Sequence, residues 1–390
     1  MANPQIKRFR GLNNVSDALG LGLSWLVQAD NVNVLDSGSI KKRDGYVLDQ
    51  AGAISSVYTT LDFTRMYLVD AGTLRTKEGA VIASGLSNTP MYWAEVNKQV
   101  FFNNGTDRGI INPDNSLLSW AWTTPGTPAL SAVTGSLSAG TYRVRCTSLL
   151  ADGRETGAGD FAELTLAAGQ GLSISNIPQT VGGRTRVYIA PANSTVFQLA
   201  ASTTGTALVW GASNDNLGQD LATADLSPLP VGCDVIQLFR GKAYAAHYLP
   251  SADQTAVWIS EPLGFHLFNL HTNLFMVPGR VLMLAPTEDA LIVGTQSAIY
   301  GYADGKLGEL ADYGVVPGKH WDTDQDEGTK RTLFWTTRGV CSALPFTNLT
   351  EHQVSVAPGV RAGGAIVRSG GQKRYLVSLQ QGGAAFNSQV

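Results

Sequence analysis

The chain has 390 residues, with 44% hydrophobic and 15% charged residues, a composition that permits a real core and excludes a disordered chain. Forty-three glycines and sixteen prolines, with no long helical pattern, point to an all-β chain rich in turns. A net charge of −3 argues against tight gripping of nucleic acid, which calls for a basic excess.

Residues 1–50 read as an arm and hairpin. Ser16-Asp17-Ala18-Leu19 is the one candidate for a short helix, with Ser16 as its cap, stopped by Gly20 and Gly22. Ala29–Val34 alternates like a strand, Asp36-Ser37-Gly38 gives a turn, and Ser39–Tyr46 returns. Two strand–turn–strand units follow in residues 51–122, centred on Met66–Val69 and Val100–Phe102.

After the linker Thr123–Pro128, residues 123–230 change character. Cleanly alternating strands appear at Thr141–Thr147, Ala162–Leu166, Leu172–Ile174, Thr185–Ile189 and Val196–Leu199, with Asp152-Gly153 as a turn. Short alternating strands at this density are the pattern of a small β-sandwich.

The first pattern resumes in residues 231–390. Ala290-Leu291-Ile292-Val293 is apolar without alternation, as expected of a strand buried on both faces. Taking Tyr67, Phe101, Tyr244, Ile292, Phe334 and Leu376 as equivalent gives a repeat of roughly 40 residues, broken once by the sandwich. Six such units predict a six-bladed β-propeller-like domain with an inserted immunoglobulin/fibronectin-III-like β-sandwich. The last unit is short of a fourth strand, and the segment near Asn31–Val34 or Ile40–Val47 is expected to complete it.

Chemistry is sparse. Cys146, Cys233 and Cys341 are far apart, without a Cys or His partner at ligand spacing, and read as free buried thiols. The acidic run Asp322–Asp326 has carboxylates at alternate positions but lacks the Gly and Glu of a calcium loop, so a solvated turn is expected. His266 and His271 have no recognised ligand spacing, and the tryptophans fall mostly on strands, as core residues do. No catalytic residue, metal site or cofactor is expected, and the chain reads as a non-enzyme. The first ten residues lack the apolar core of a signal peptide, and no apolar run is long enough to cross a membrane. The only dense positive runs are Lys7-Arg8-Phe9-Arg10 and Lys41-Lys42-Arg43, the latter a candidate basic patch.

Phe9-Arg10-Gly11-Leu12-Asn13-Asn14, Ala29-Asp30-Asn31-Val32 and Ser37–Tyr46 together resemble the opening of bacteriophage tail nozzle proteins, the tail tubular B-like and packaged-DNA stabilisation family. Gly135–Val144, Ala151–Gly157 and Arg186–Ala190 resemble the fibronectin-III-like modules of phage tail proteins. The resemblance implies a structural virion protein: a homohexameric ring below the portal-adaptor ring, contacting distal tail or fibre proteins, with double-stranded DNA passing through transiently. It implies assembly in the host bacterial cytoplasm and residence in the phage tail. Phe9, Arg10, Leu19, Leu21, Leu23 and Trp25 are then candidates for the arm that touches a neighbouring subunit or the adaptor. Two other readings stand beside it: a receptor- or glycan-binding tail-tip propeller, and a glycan-acting propeller enzyme.

Overall fold

The structure, a computed structural model, describes residues 6, 8–45, 47–211, 213–324, 330–369, 372–382 and 388–389. Among them the chain is all-β; its one helical turn is a 3-10 turn at Asn214–Asn216. The expected helix at Ser16–Leu19 does not form. Asn13 folds the chain there into a turn instead, its side-chain oxygen accepting from the amides of Val15 and Ser16.

Six antiparallel sheets succeed one another in a propeller-like arrangement among the described residues. The first comprises Ile54–Thr59, Met66–Asp70, Thr73–Thr76 and Val81–Ala83. The second comprises Tyr92–Val96, Gln99–Asn103, Arg108–Ile111 and Leu117–Leu118. The third has Val235–Phe239, Lys242–Leu249, Gln254–Glu261 and Gly264–Phe268, with Leu274–Pro278 also paired to Gln254–Glu261. Val281–Pro286, Leu291–Thr295, Ile299–Ala303 and Lys306–Ala311 make the fourth. The fifth holds Trp321–Asp324, Arg331–Thr336, Gly339–Ser342 and Thr347–Asn348. The sixth holds Arg361–Ser369, Gln372–Gln380 and Ser388–Gln389.

Consecutive sheets stack through apolar layers, which explains why the second strands carry apolar residues on both faces. Phe102 packs toward Tyr67 and Val69 of the first sheet, while its neighbour Phe101 packs toward Ile236 and Ala243 of the third. Likewise Leu291 and Val293 meet Tyr244 and Val257 of the third sheet, and Ile292 meets Phe334 and Cys341 of the fifth. Trp335 joins the fifth sheet to Val377 and Leu379 of the sixth. Leu291, Ile292 and Val293 are fully buried, and truncating such a side chain to Ala costs about 2–5 kcal/mol.

The first strands of successive sheets run in the same direction. Asp234 pairs with Arg280 at 3.0 Å at the start of two of them, and Arg240 with Asp289 at 3.5 Å beyond their ends. Ala362 and Gly364 of the sixth sheet donate to Pro317 and Lys319, and Ile366 to the Asp322 carboxylate. With up-and-down strands, the turns joining first to second and third to fourth strands therefore lie on one face of the propeller. The other face carries the remaining turns and the inter-sheet connections, among them the one that holds the sandwich.

The sandwich faces Ala129–Leu137, Gln170–Ser175 and Leu208–Trp210 against a four-stranded sheet ordered Ala162–Leu166, Gly140–Leu149, Arg184–Ala190, Gln198–Thr203. Tyr142, Val144, Cys146, Leu172, Ile174, Val187 and Ile189 fill it. All three cysteines are free and buried, and among the described residues no helix is long and apolar enough to cross a membrane.

The expectation that an arm strand completes the last sheet is corrected. Val32–Val34 and Ile40–Lys42 pair with each other, and Ser388–Gln389 supplies the third strand of the sixth sheet. The arm is attached through Asn14, whose amide donates to the Gln353 carbonyl and whose side chain exchanges two hydrogen bonds with the Ser355 backbone.

Candidate assembly surfaces

The arm residues singled out in the sequence fold together. The Phe9 amide donates to the Gly38 carbonyl and the Arg10 amide to the Ser24 carbonyl, both at 2.8 Å. Gly11–Leu12 runs parallel to Trp25–Leu26, and the Arg43 amide donates to Asn31. Gly38 sits at φ 79° against the Arg8 side chain, so any larger residue would meet both backbone strain and a clash. The segment 8–13 thus lies between two pieces of chain that the sequence keeps apart.

Phe9, Leu21 and Trp25 are half-buried in this module. Arg10 is exposed, Leu19 is 96% exposed and Leu23 64%. Lys41 and Lys42 are exposed on the hairpin, Lys41 lying 3.6 Å from Asp44, and Arg43 is half-buried. Lys41 and Lys42 thus face solvent, as do Leu19 and Leu23.

The acidic run is structural where it is described. The Asp322 carboxylate accepts from the Thr323 and Ile366 amides, and Asp324 pairs with Lys373 at 2.6 Å. Asp326 lies outside the described residues. Among the described residues no group of three or more His, Cys, Asp or Glu is placed to hold a metal. Just before this run, the Lys319 ammonium lies 3.7 Å from the centre of the Trp321 ring, and burial lowers its pKa to about 8.

His266 and His271 are not brought together as a ligand pair. His266 is a joint between the two parts of the chain: its Nε2 is 3.0 Å from the Glu155 carbonyl oxygen in the sandwich, and burial lowers its pKa. The Glu155 carboxylate accepts from Thr147 and Tyr188 and pairs with Arg186 at 2.6 Å. Arg154 donates to the Ser119 carbonyl, and Ser227 and Phe268 exchange a pair of backbone bonds, so the sandwich is fastened to the second and third sheets at several points. His271 lines an open cleft of about 580 Å³ at this junction, with Arg145, Asp160, Asp225 and Asn269. Arg145 is held there by the Gly159 and Ala224 carbonyls and stacks on Phe197.

Sequence reasoning missed the turn tips on the propeller face opposite the inter-sheet connections. Phe63 is 84% exposed and Leu263 78% exposed. Both sit at φ 58°, and Leu344 at φ 52°, in the left-handed region that bulky side chains seldom occupy. Nothing in the residue pattern marks this, because the same turns elsewhere use Asn97, Asn115 and Asp304.

No protein-family model matches the chain, and no curated protein does. Among solved structures, it is similar to Porphyromonas gingivalis dipeptidyl peptidase 4, with a TM-score of 0.30 and 8% identity over 83% of this chain and 50% of that one. It is also similar to an extracellular domain assigned to a hybrid two-component system of B. thetaiotaomicron, with a TM-score of 0.29 and 11% identity over 81% of this chain and 36% of that one. The chain spans half or less of the length of these proteins, and likenesses this distant say nothing of what it does.

Proposed function

We propose that the chain is a structural subunit of a bacteriophage tail, forming with identical copies a ring, a hexamer in our reading, below the portal-adaptor. DNA is held behind this nozzle and then ejected through it. The observation that carries the reading is the arm. The residues that resemble the nozzle-protein opening, Phe9–Asn14, Asn31-Val32 and Gly38–Arg43, form one hydrogen-bonded module. That module presents Leu19, Leu23, Lys41 and Lys42 to solvent, where a neighbouring subunit or the adaptor ring can cover them.

DNA in this reading runs through the lumen of the ring of subunits and not through the propeller, inside which the Tyr92 hydroxyl of the second sheet donates to the Leu282 carbonyl of the fourth. A net charge of −3 suits a wall along which a polyanion slides without being gripped. The role is mechanical and has no catalytic step; distal tail or fibre proteins meet the far side of the ring.

Deleting residues 1–28 tests the reading. The truncated chain is expected to keep its β circular dichroism and a cooperative melt yet fail to assemble; a truncation that assembles as the full chain does contradicts it. A second reading, a glycan-binding tail-tip module, is favoured only by the polar cleft at the sandwich junction, and glycan-array binding abolished by Arg145→Ala would favour it instead.

A further inference from the structure

The arm module carries a hairpin whose two faces differ. Val32 pairs with Lys42 and Val34 with Ile40, so these four side chains share one face, and Asn33 and Lys41 share the other. On the first face Ile40 is 40% exposed, and Lys42 is exposed with no ion pair among the described residues. Lys41, on the other face, lies beside Asp44. Among the described residues no hydrogen bond or ion pair joins this hairpin to the sandwich of its own chain. It is an apolar stripe that ends in one unpaired cation.

The cleft at the sandwich junction has the complementary composition. Its charged lining is Arg145, Asp160 and Asp225, with His271 the one other titratable side chain. The Arg145 guanidinium is turned to the Gly159 and Ala224 carbonyls and bonds to neither carboxylate. Asp160 and Asp225 are exposed and form no ion pair among the described residues, so two carboxylates against one guanidinium leave the cleft short of one cation. Pro125 and Leu226, both half-buried, supply apolar wall. The walls are fixed. A Cβ on Gly159 would stand 1.9 Å from the Pro125 carbonyl oxygen, and one on Gly157 1.7 Å from that of Leu226, so both linkers lie directly on the sandwich backbone. A receptor preformed in this way has little ordering to lose on binding.

Arm and cleft lie at opposite flanks of the propeller. The arm is fastened at Gln353 and Ser355, where the chain passes from the fifth sheet to the sixth, and the sandwich leaves between the second and the third. Three sheets separate the two places in either direction round the six. A contact between unlike patches on opposite flanks is heterologous, and where its rotation closes it gives a ring in which every arm and every cleft is occupied. We propose that the cleft receives the arm hairpin of the next copy, Lys42 meeting Asp160 and Asp225 while Val34 and Ile40 pack on Pro125 and Leu226. This joint presupposes the ring proposed above and names the surfaces that close it.

Native mass of the full chain and its variants tests it. Asp225→Lys gives the cleft the sign of Lys42, and Lys42→Glu gives the hairpin the sign of the cleft. Each is expected to raise the concentration needed for ring assembly by at least about tenfold, with unchanged circular dichroism. The two together are expected to restore assembly, because reversing both partners preserves their attraction. A chain carrying Lys42→Cys and Asp225→Cys is expected, on mild oxidation, to give disulfide-linked chains up to the full ring, and a chain with only one of the two to give none. The native cysteines are buried and do not compete. Rings that assemble as the parent does with Asp225→Lys or Lys42→Glu overturn the joint and leave the ring standing, the arm then meeting another partner such as the adaptor. So does a double reversal that stays unassembled, or an assembled ring that binds a glycan through Arg145. A parent chain that forms no ring overturns both.

Discussion

The hydroxyl of Tyr92 donates to the carbonyl oxygen of Leu282 at 3.2 Å, so the first strand of the second sheet reaches past the third to the fourth. Arg361 of the sixth sheet lies near enough to oppose the rise in the Tyr92 pKa that burial causes. Three first strands thus contribute to one small region. Tyr92→Phe removes one hydrogen bond and leaves the carbonyl unpaired, at a cost of about 1–3 kcal/mol. Urea denaturation reads this as a lower midpoint at an unchanged slope; a midpoint equal to the parent's would mean that the bond contributes nothing.

His320 makes the fold sensitive to acid. It is fully buried, and its Nδ1 accepts from the Trp335 amide at 3.2 Å, so the proton sits on Nε2, which donates to the Val316 carbonyl at 2.8 Å. Burial lowers its pKa to about 4, below the 6.5 of an unstrained imidazole. Between these two values the unfolded chain holds more protons than the folded one. The stabilisation is therefore complete above pH 6.5 and is lost as pH falls through 4, by about 3 kcal/mol at most. His320→Gln is expected to flatten that part of the stability–pH curve; an equally steep curve in the variant would assign the acid sensitivity elsewhere.

The repeat was legible because of how the sheets stack. Tyr67, Phe101, Tyr244, Ile292, Phe334 and Leu376 all fall on the second strands, and in the first five sheets these strands are buried on both faces, so the alternation of a one-sided strand disappears; Leu376 is 36% exposed and its strand keeps the alternation. The sandwich was legible for the opposite reason: its strands bury one face, and their residues alternate. Two things were hidden. His266 and Glu155 are 111 residues apart and meet through a carbonyl oxygen, a contact with no residue signature. The apolar tips at Phe63 and Leu263 depend on a backbone φ that their residue types disfavour. The arm hairpin closed on itself because two short strands of one hairpin pair more readily than either pairs with a sheet more than 300 residues away in sequence.

The strain at the tips has a measurable sign. Phe63→Gly and Leu263→Asn each place a residue that tolerates φ 58° where a bulky one now stands. Each is expected to stabilise the isolated chain by about 1 kcal/mol, even though apolar surface is removed. Calorimetry that finds either variant less stable than the parent would mean that packing holds these turns more strongly than the strain opposes them.

Glu155 holds the sandwich together beside the joint. With the carboxylate removed, Arg186, whose side chain is only 23% exposed, loses its partner, and the Thr147 and Tyr188 hydroxyls lose their acceptor. Glu155→Ala is expected to cost about 3 kcal/mol, felt by the sandwich first. Calorimetry should then resolve an early transition separate from the propeller's; a single transition at the parent temperature would mean that the network contributes little.

In the proposed tail role, identical copies of this chain build a ring whose lumen passes DNA. Native mass determination of the purified full chain, combined with negative-stain imaging of the same sample, tests it most directly. A closed ring is expected, six subunits in mass, with an open centre wide enough for a DNA duplex. A chain that remains monomeric, or a compact oligomer with no central opening, would contradict it.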